Sequence, residues 1–316
     1  MNNKLKKKIL INLLLLMLMF SISEFYFWNK QNENFDVKLP FFKMKLKDSV
    51  SCYPAGRFGS FKETYSQKAP ILLLGCSYAY GEFISLEDNF ASKLTNLSGR
   101  WVYNFGEPGQ GPIYSLLSLE LEKKEPLITV EPEYVIYLYM FHHPNRWYFT
   151  QYYDYYRKQN WIPFQKHSVL DNFYTFRYFR NMDIDKYFHE DENLEKRMDL
   201  FFKMMNEIKN KSKELYPDSK FVFLIYSDVN KDLCEGLMNS VKKDSQDIEK
   251  MFEIMNSKQF KHRLEAMDMQ VITTEELINR KMVKQSDRAE NDPHYPHPSA
   301  SAWDEVIPKL IKKLKL

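Results

Sequence analysis

Short apolar runs alternate with longer stretches of helical periodicity along most of the chain. Short, nearly unbroken apolar runs are typical of strands that are buried on both faces of a parallel sheet. On this basis five segments are predicted to be strands: 71–74, 101–105, 134–140, 220–226 and 269–272. Apolar residues recur at helical spacing in five other segments: 86–97, 113–121, 193–215, 245–266 and 300–314.

This alternation predicts an α/β fold. Strands that are joined by helices form a mainly parallel sheet with helices on both faces. We therefore expect a three-layer α/β/α sandwich with a five-stranded, flavodoxin-like sheet and a functional site at the carboxyl ends of the strands. Ser85 is predicted to cap the helix over 86–97.

The amino terminus has the form of an export signal. Asn2–Lys8 contains four lysines, and Ile9–Phe20 is apolar apart from Asn12. Residues 1–28 are therefore predicted to be a signal peptide, cleaved near Ser21–Ser23, or a signal-anchor helix in which residues 9–28 hold the protein to the membrane. Either alternative places the remainder of the chain on the periplasmic or extracellular side.

The rest of the chain divides into a lead-in and one domain. Residues 29–69 contain several Pro and Gly among mixed charges and are predicted to be a linker and lead-in. Residues 70–316 are predicted to form the domain, with an aromatic-rich insertion at about 147–190. The aromatic side chains of this insertion either pack it onto the domain or line a cleft for a sugar or an acyl chain.

Composition excludes several classes of function. A chain of 316 residues, 44% of them apolar, can bury a full core, and a net charge of +3 without a basic stripe gives no sign of nucleic-acid binding. The three cysteines, Cys52, Cys76 and Cys234, have no spacing typical of a zinc site or a disulfide framework. A Cys52–Cys234 bridge after export remains an alternative, and no cofactor or metal is expected.

The strand over 71–74 leads into Gly-Cys-Ser-Tyr-Ala-Tyr-Gly, residues 75–81. A serine at a sharp turn after a buried strand can be exposed as a nucleophile, with its own N–H directed towards an oxyanion. Such a segment is also compatible with an ordinary turn that carries a solvated serine. The downstream motifs decide between these interpretations.

Residues 75–81 resemble the first block of the SGNH/GDSL hydrolase superfamily, with Cys76 where that family mostly has Asp. Residues 102–111 resemble the second block and residues 291–302 the last one. The resemblance implies that Ser77 is the nucleophile, that the Ser77 and Gly109 N–H groups belong to the oxyanion hole, and that His297 is the general base.

The third block departs from the family, which has an Asn directly after the third strand. Residues 141–146 read Phe-His-His-Pro-Asn-Arg at this position. Either His142 donates to the oxyanion in place of the amide, or Asn145 bends back to do so. The two adjacent histidines otherwise only cap the end of the strand, and no carboxylate or Cys at suitable spacing points to a metal.

Asp292 is the nearest carboxylate on the amino-terminal side of His297. It is predicted to orient His297, and the alternative pair is Asp292 with His294. Together these residues predict a serine hydrolase acting on a small-molecule or glycan ester, with no obligatory protein partner. The alternatives are an O-acyltransferase that uses the same triad, or a non-catalytic descendant that binds a glycan or a partner protein.

Overall fold

The computed structural model describes residues 17–23, 25, 68–108, 111–124, 126–140, 143–145, 194–227, 253–254, 257–281, 285–290 and 297–316. Residues 17–23 and Phe25 are helical and belong to one unit. All the other described residues belong to a second compact unit, which comprises Lys45–Trp147 and Leu194–Leu316. Among the described residues, no helix has both the length and the apolar character needed to cross a bilayer.

A parallel sheet of five strands forms the centre of the second unit. Its strands are β1 (Ile71–Gly75), β2 (Val102–Asn104), β3 (Tyr134–Tyr139), β4 (Lys220–Ile225) and β5 (Gln270–Thr273). Their order in the sheet is β2-β1-β3-β4-β5, and every neighbouring pair is parallel. The order is the flavodoxin-like one. The predicted α/β fold with a five-stranded parallel sheet is confirmed.

Seven helices accompany the strands in the described part of the chain. They are α1 (Ser77–Tyr80), α2 (Phe90–Ser98), α3 (Pro112–Lys124), α4 (Leu194–Leu215), α5 (Lys258–Glu265), α6 (Thr274–Ile278) and α7 (Ala300–Leu314). Short 3-10 turns lie at His143–Asn145 and Gln285–Asp287.

The helices cover both faces of the sheet. Helix α2 packs against α7, whereas α3 packs against α4. Right-handed crossovers explain this separation, because the chain moves from β1 to β2 in one direction and from β2 through β3 to β4 in the other. Strands β1 and β3 are buried along their whole length, as expected for a sheet between two layers of helices.

The start of α2 differs from the prediction. Residues 86–88 form a turn, and the helix begins at Phe90 after Asn89, whose side chain accepts a hydrogen bond from Ser92 N at 2.7 Å. Ser85 instead donates to the Asp88 carboxylate at 2.8 Å. Ser and Asn are both good capping residues, so the helix start was misplaced by one turn.

Several predictions fall on residues outside the described ranges. They are the linker up to residue 67, the insertion at 147–190, a Cys52–Cys234 bridge and the first part of the helix over 245–266. The described part of that last segment begins its helix after Ser257, whose hydroxyl accepts from Phe260 N.

Candidate active site

The candidate site lies at the carboxyl edge of the sheet beside β1. Strand β1 has β2 on one side and β3 on the other, so the chain leaves it in one direction and later returns on its opposite side. Loops separate at such a point and leave a crevice, which is where ligands bind in open α/β sheets. Ser77 follows β1 after a single residue, Cys76, and therefore lies at this edge of the sheet.

Ser77 begins a tight turn after the strand. Its carbonyl accepts hydrogen bonds from Gly81 N at 2.9 Å and Glu82 N at 3.1 Å, and Cys76 O accepts from Tyr80 N at 2.9 Å. The Ser77 residue is 2% exposed, and its Oγ lies 3.8 Å from the buried Cys76 Sγ. Ser77 thus lies at a sharp turn after the strand, as the sequence predicted, but it is buried there rather than exposed or solvated, and Cys76 is a packed neighbour.

Two glycines allow other segments to approach this turn closely. Gly81 has φ +84°, and a Cβ there would lie 2.4 Å from Asn89 Cβ. A Cβ on Gly106 would lie 2.6 Å from Tyr80 N and 2.7 Å from Ala79 Cβ. Side chains at either position would clash, so both glycines are needed for the turn to pack where it does.

Asn104, at the end of β2, joins the second loop to the turn. Its side-chain amide donates to Ala79 O at 2.6 Å and accepts from Gly106 N at 2.9 Å. The side chain is completely buried, where an unsatisfied amide or carbonyl group is costly. The end of β2 is therefore fixed to the segment that carries Ser77.

His297, which lies near the carboxyl end of the domain, packs against the same turn. Its ring centroid lies 5.3 Å from that of Tyr78 and 4.8 Å from that of Phe83. Its Nε2 lies 3.3 Å from Glu82 Oε2, and the residue is 5% exposed. The structure thus brings two of the predicted catalytic residues, Ser77 and His297, to one turn of the chain.

Aromatic packing holds this turn to the core. The Tyr78 ring contacts Tyr226, at the end of β4, with a centroid distance of 5.2 Å. Tyr226 in turn contacts Trp303 of α7 at 5.4 Å, and Trp303 contacts Phe90 of α2 at 5.0 Å. Since all four residues are buried, they connect the residue after Ser77 to the helix that follows His297.

The loop that carries His297 is held by a charged cluster. The Arg280 guanidinium donates to both carboxylate oxygens of Asp287, at 2.8 and 2.9 Å, and also pairs with Glu305. Asp287 O accepts from Ser299 N at 2.9 Å, and His297 O accepts from Ala289 N at 2.8 Å. Hydrogen bonds from Asp287 and then Glu305 raise the pKa of Arg280 above its ordinary value.

The segment after β3 has a structural contact that the sequence did not specify. His143 is buried, and its Nδ1 lies 2.8 Å from the Tyr137 hydroxyl. This agrees with the interpretation in which a histidine here packs against the end of the strand. Within the described ranges, no group of three or more His, Cys, Asp or Glu residues has the arrangement of a metal site.

Four predicted site residues lie outside the described ranges: Gly109, His142, Asp292 and His294. Asn145 ends the 3-10 turn after β3. The oxyanion-hole residues, Ser77 among them, and the choice between the two pairings of Asp292 are predictions.

Sequence reasoning missed Glu82 and Arg280. Glu82 follows Gly81 at the end of the first motif, and a carboxylate so close to a candidate nucleophile was a usable signal. Its contact with His297 joins distant parts of the chain, however, and no spacing rule predicts it. Arg280 offered no signal, because its two carboxylate partners lie on a 3-10 turn and on α7.

No protein-family model matches the sequence, and no curated protein matches it either. Solved structures do show similarity. One is a member of the lipolytic protein G-D-S-L family from Veillonella parvula, with 9% identity, a TM-score of 0.39, and coverage of 78% of this chain and 99% of that one.

Two further solved structures to which the chain is similar carry other activities in their names. Phospholipase A1 from Streptomyces albidoflavus has 11% identity and a TM-score of 0.43, with coverage of 78% of this chain and 99% of that one. The periplasmic domain of a Salmonella ser. Paratyphi A lipopolysaccharide acetyltransferase has 11% identity and a TM-score of 0.38, with coverage of 80% and 86%. The similarity is one of fold.

Proposed function

We propose that this chain is an SGNH-type serine hydrolase that cleaves ester bonds. The observation that carries the proposal is the packing of the His297 ring against Tyr78, the residue next to Ser77. A serine on a strand-to-turn junction and a histidine at the same turn are the two groups that nucleophilic acyl transfer requires.

In this proposal Ser77 Oγ attacks the ester carbonyl carbon while His297 accepts the hydroxyl proton. The tetrahedral oxyanion is stabilised by the Ser77 N–H, the Gly109 N–H and His142. His297 then returns the proton to the leaving alcohol, and water releases the acyl group by the same steps. Asp292 is proposed to orient His297 from the loop that precedes it.

The proposed substrate is a small-molecule or glycan ester outside the cytoplasm. The lysines of residues 2–8 and the apolar run that follows them support export and contact with the membrane through residues 9–28. Part of this run is exposed in the structure, since Met17, Leu18, Met19 and Ile22 are each more than half exposed.

The proposal is tested by turnover of p-nitrophenyl esters with acyl chains of increasing length. His297→Ala should lower kcat at least about a hundredfold, because loss of a general base typically costs 10²–10⁴-fold. His294→Ala is the matched control and should have a milder effect. Equal turnover by wild type and His297→Ala, or a larger loss in His294→Ala, would contradict the assignment of the base.

A further inference from the structure

The carboxylate of Glu82 lies next to the imidazole of His297, the candidate base. Its Oε2 lies 3.3 Å from His297 Nε2. The His297 side chain is only 6% exposed and that of Glu82 is 34% exposed, so the contact lies at the margin of the protein interior. There the attraction between unlike charges is stronger than in bulk water.

The backbone of the turn fixes where this carboxylate lies. Glu82 N donates to Ser77 O at 3.1 Å, so Glu82 is tied to the residue that carries the proposed nucleophile. Phe83, the next residue, has φ +65°, a left-handed conformation that is uncommon for a bulky residue. Its ring packs against His297 at 4.8 Å. The imidazole is therefore bounded by two consecutive side chains, one charged and one aromatic.

We propose that Glu82 is a positioning residue for His297. Its carboxylate lies within ion-pairing distance of Nε2. As the acceptor for an Nε2–H donor it fixes the tautomer that keeps the lone pair on Nδ1, and it stabilises the imidazolium during reaction. This inference rests on the proposed function, because it assigns a role within the same reaction. It is an alternative to the orienting role proposed for Asp292, because the ring has two nitrogens and one of them must accept the proton of Ser77.

The proton balance of the step is simple. The Ser77 O–H bond breaks as Oγ bonds to the ester carbonyl carbon, and the proton bonds to His297 Nδ1. The ring then carries a positive charge opposite the negative charge of Glu82. When the C–O bond to the leaving alcohol breaks, the same proton passes to the alcohol oxygen and the imidazole becomes neutral again. The acyl group stays bonded to Ser77 Oγ until a water molecule, giving its proton to His297, attacks the carbonyl carbon and releases the acid, after which the proton returns to Oγ.

A neutral side chain of the same shape separates this role from simple packing. Glu82→Gln keeps the size and one acceptor oxygen but removes the charge that stabilises the imidazolium. Hydrogen bonds to charged groups are stronger than neutral ones, so kcat should fall by about ten- to a hundredfold, with KM changed much less. Urea unfolding should show little loss of stability. Glu87→Gln, on the exposed turn before α2, is the matched control and should behave as wild type.

A second measurement needs no turnover. The imidazole N–H proton of His297, identified by its loss in His297→Ala, should give a downfield, slowly exchanging NMR signal in wild type and Glu87→Gln. This signal should disappear in Glu82→Ala, because its acceptor is gone. A signal that persists in Glu82→Ala, or an unchanged kcat in an active Glu82→Gln protein, would overturn the role of Glu82. If wild type shows no ester turnover but the signal behaves as expected, the proposed function fails and the contact stands.

Discussion

At the scale of single residues, the site depends on the absence of side chains as much as on their presence. Gly106 lies where the loop after β2 meets the turn after Ser77. A Cβ at this position would clash with Ala79 and Tyr80. Asn104 then hydrogen-bonds to both segments. Because the contact involves the backbone of both segments, neither can shift without moving Ser77 or the loop predicted to hold the oxyanion.

We therefore expect Gly106→Ala to lower esterase activity strongly and to cost about 1–3 kcal/mol of unfolding free energy, as overpacking does. Gly99→Ala is the control. Gly99 has φ +67°, and the atom nearest to a Cβ added there would be Lys68 Nζ at 3.5 Å. Gly99→Ala should therefore lower the unfolding free energy by about 1–2 kcal/mol because of its backbone conformation, and kcat should be unaffected. Activity assays and urea unfolding measure both quantities. Equal kcat in the two variants would show that the close approach of Gly106 is not required.

At the scale of elements, the position of His297 is determined by what holds its loop. Residues 285–290 run beside residues 297–299, with an antiparallel bridge between Arg288 and Pro298. Ser299 caps α7 by accepting from Ala302 N at 3.1 Å. Arg280 connects this arrangement to α7 through Asp287 and Glu305. His297 is thus placed by a 3-10 turn, a helix cap and an ion cluster together.

Arg280→Met should destabilise the protein, because it leaves the buried Asp287 carboxylate without its guanidinium partner. Since Arg280 is partly exposed, we expect the unfolding free energy to fall by about 3 kcal/mol, which is the low end of the range for a broken buried pair. Lys313→Met, which breaks the exposed pair with Glu276, should cost no more than about 1 kcal/mol. Urea unfolding of both variants compares them, and equal losses would contradict the role given to the cluster.

The elements that the sequence predicted well are those whose own residues carry the signal. The short apolar runs of β1, β3 and β4 are typical of buried strands. Helix α4 repeats its apolar face over 22 residues. The start of α2 was misplaced, because Asn89 is selected over Ser85 by packing against Gly81 rather than by local preference. Ser77 and His297 were identified from short motifs. Glu82 was not, since its contact with His297 exists only after the sheet has brought both ends of the domain together.

At the scale of the whole molecule, a unit built on a parallel sheet follows a segment with the form of an export signal. The unit comprises Lys45–Trp147 and Leu194–Leu316, so it is formed from two separate stretches of sequence. Its carboxyl terminus ends with α7 at Leu314, two residues before the end of the chain. A fusion at that terminus should therefore leave the candidate site intact.

A phosphatase that folds only where disulfides form should be active when fused after Leu316, and a galactosidase that works only in the cytoplasm should be inactive there. This follows from the retention of positive charge on the cytoplasmic side during export. The same fusions without residues 1–28 are the control and should give the reverse pattern. Cytoplasmic reporter activity in the full-length fusion would contradict export.

The central claim is that Ser77 is an activated nucleophile, and a fluorophosphonate probe tests it without knowledge of the substrate. The account predicts that wild-type protein is labelled, that the labelled peptide contains Ser77, and that Ser77→Ala loses all labelling. Ser115→Ala, which alters a buried serine on α3, should be labelled as wild type is. Undiminished labelling of Ser77→Ala, or wild-type protein that takes up no probe, would contradict the account.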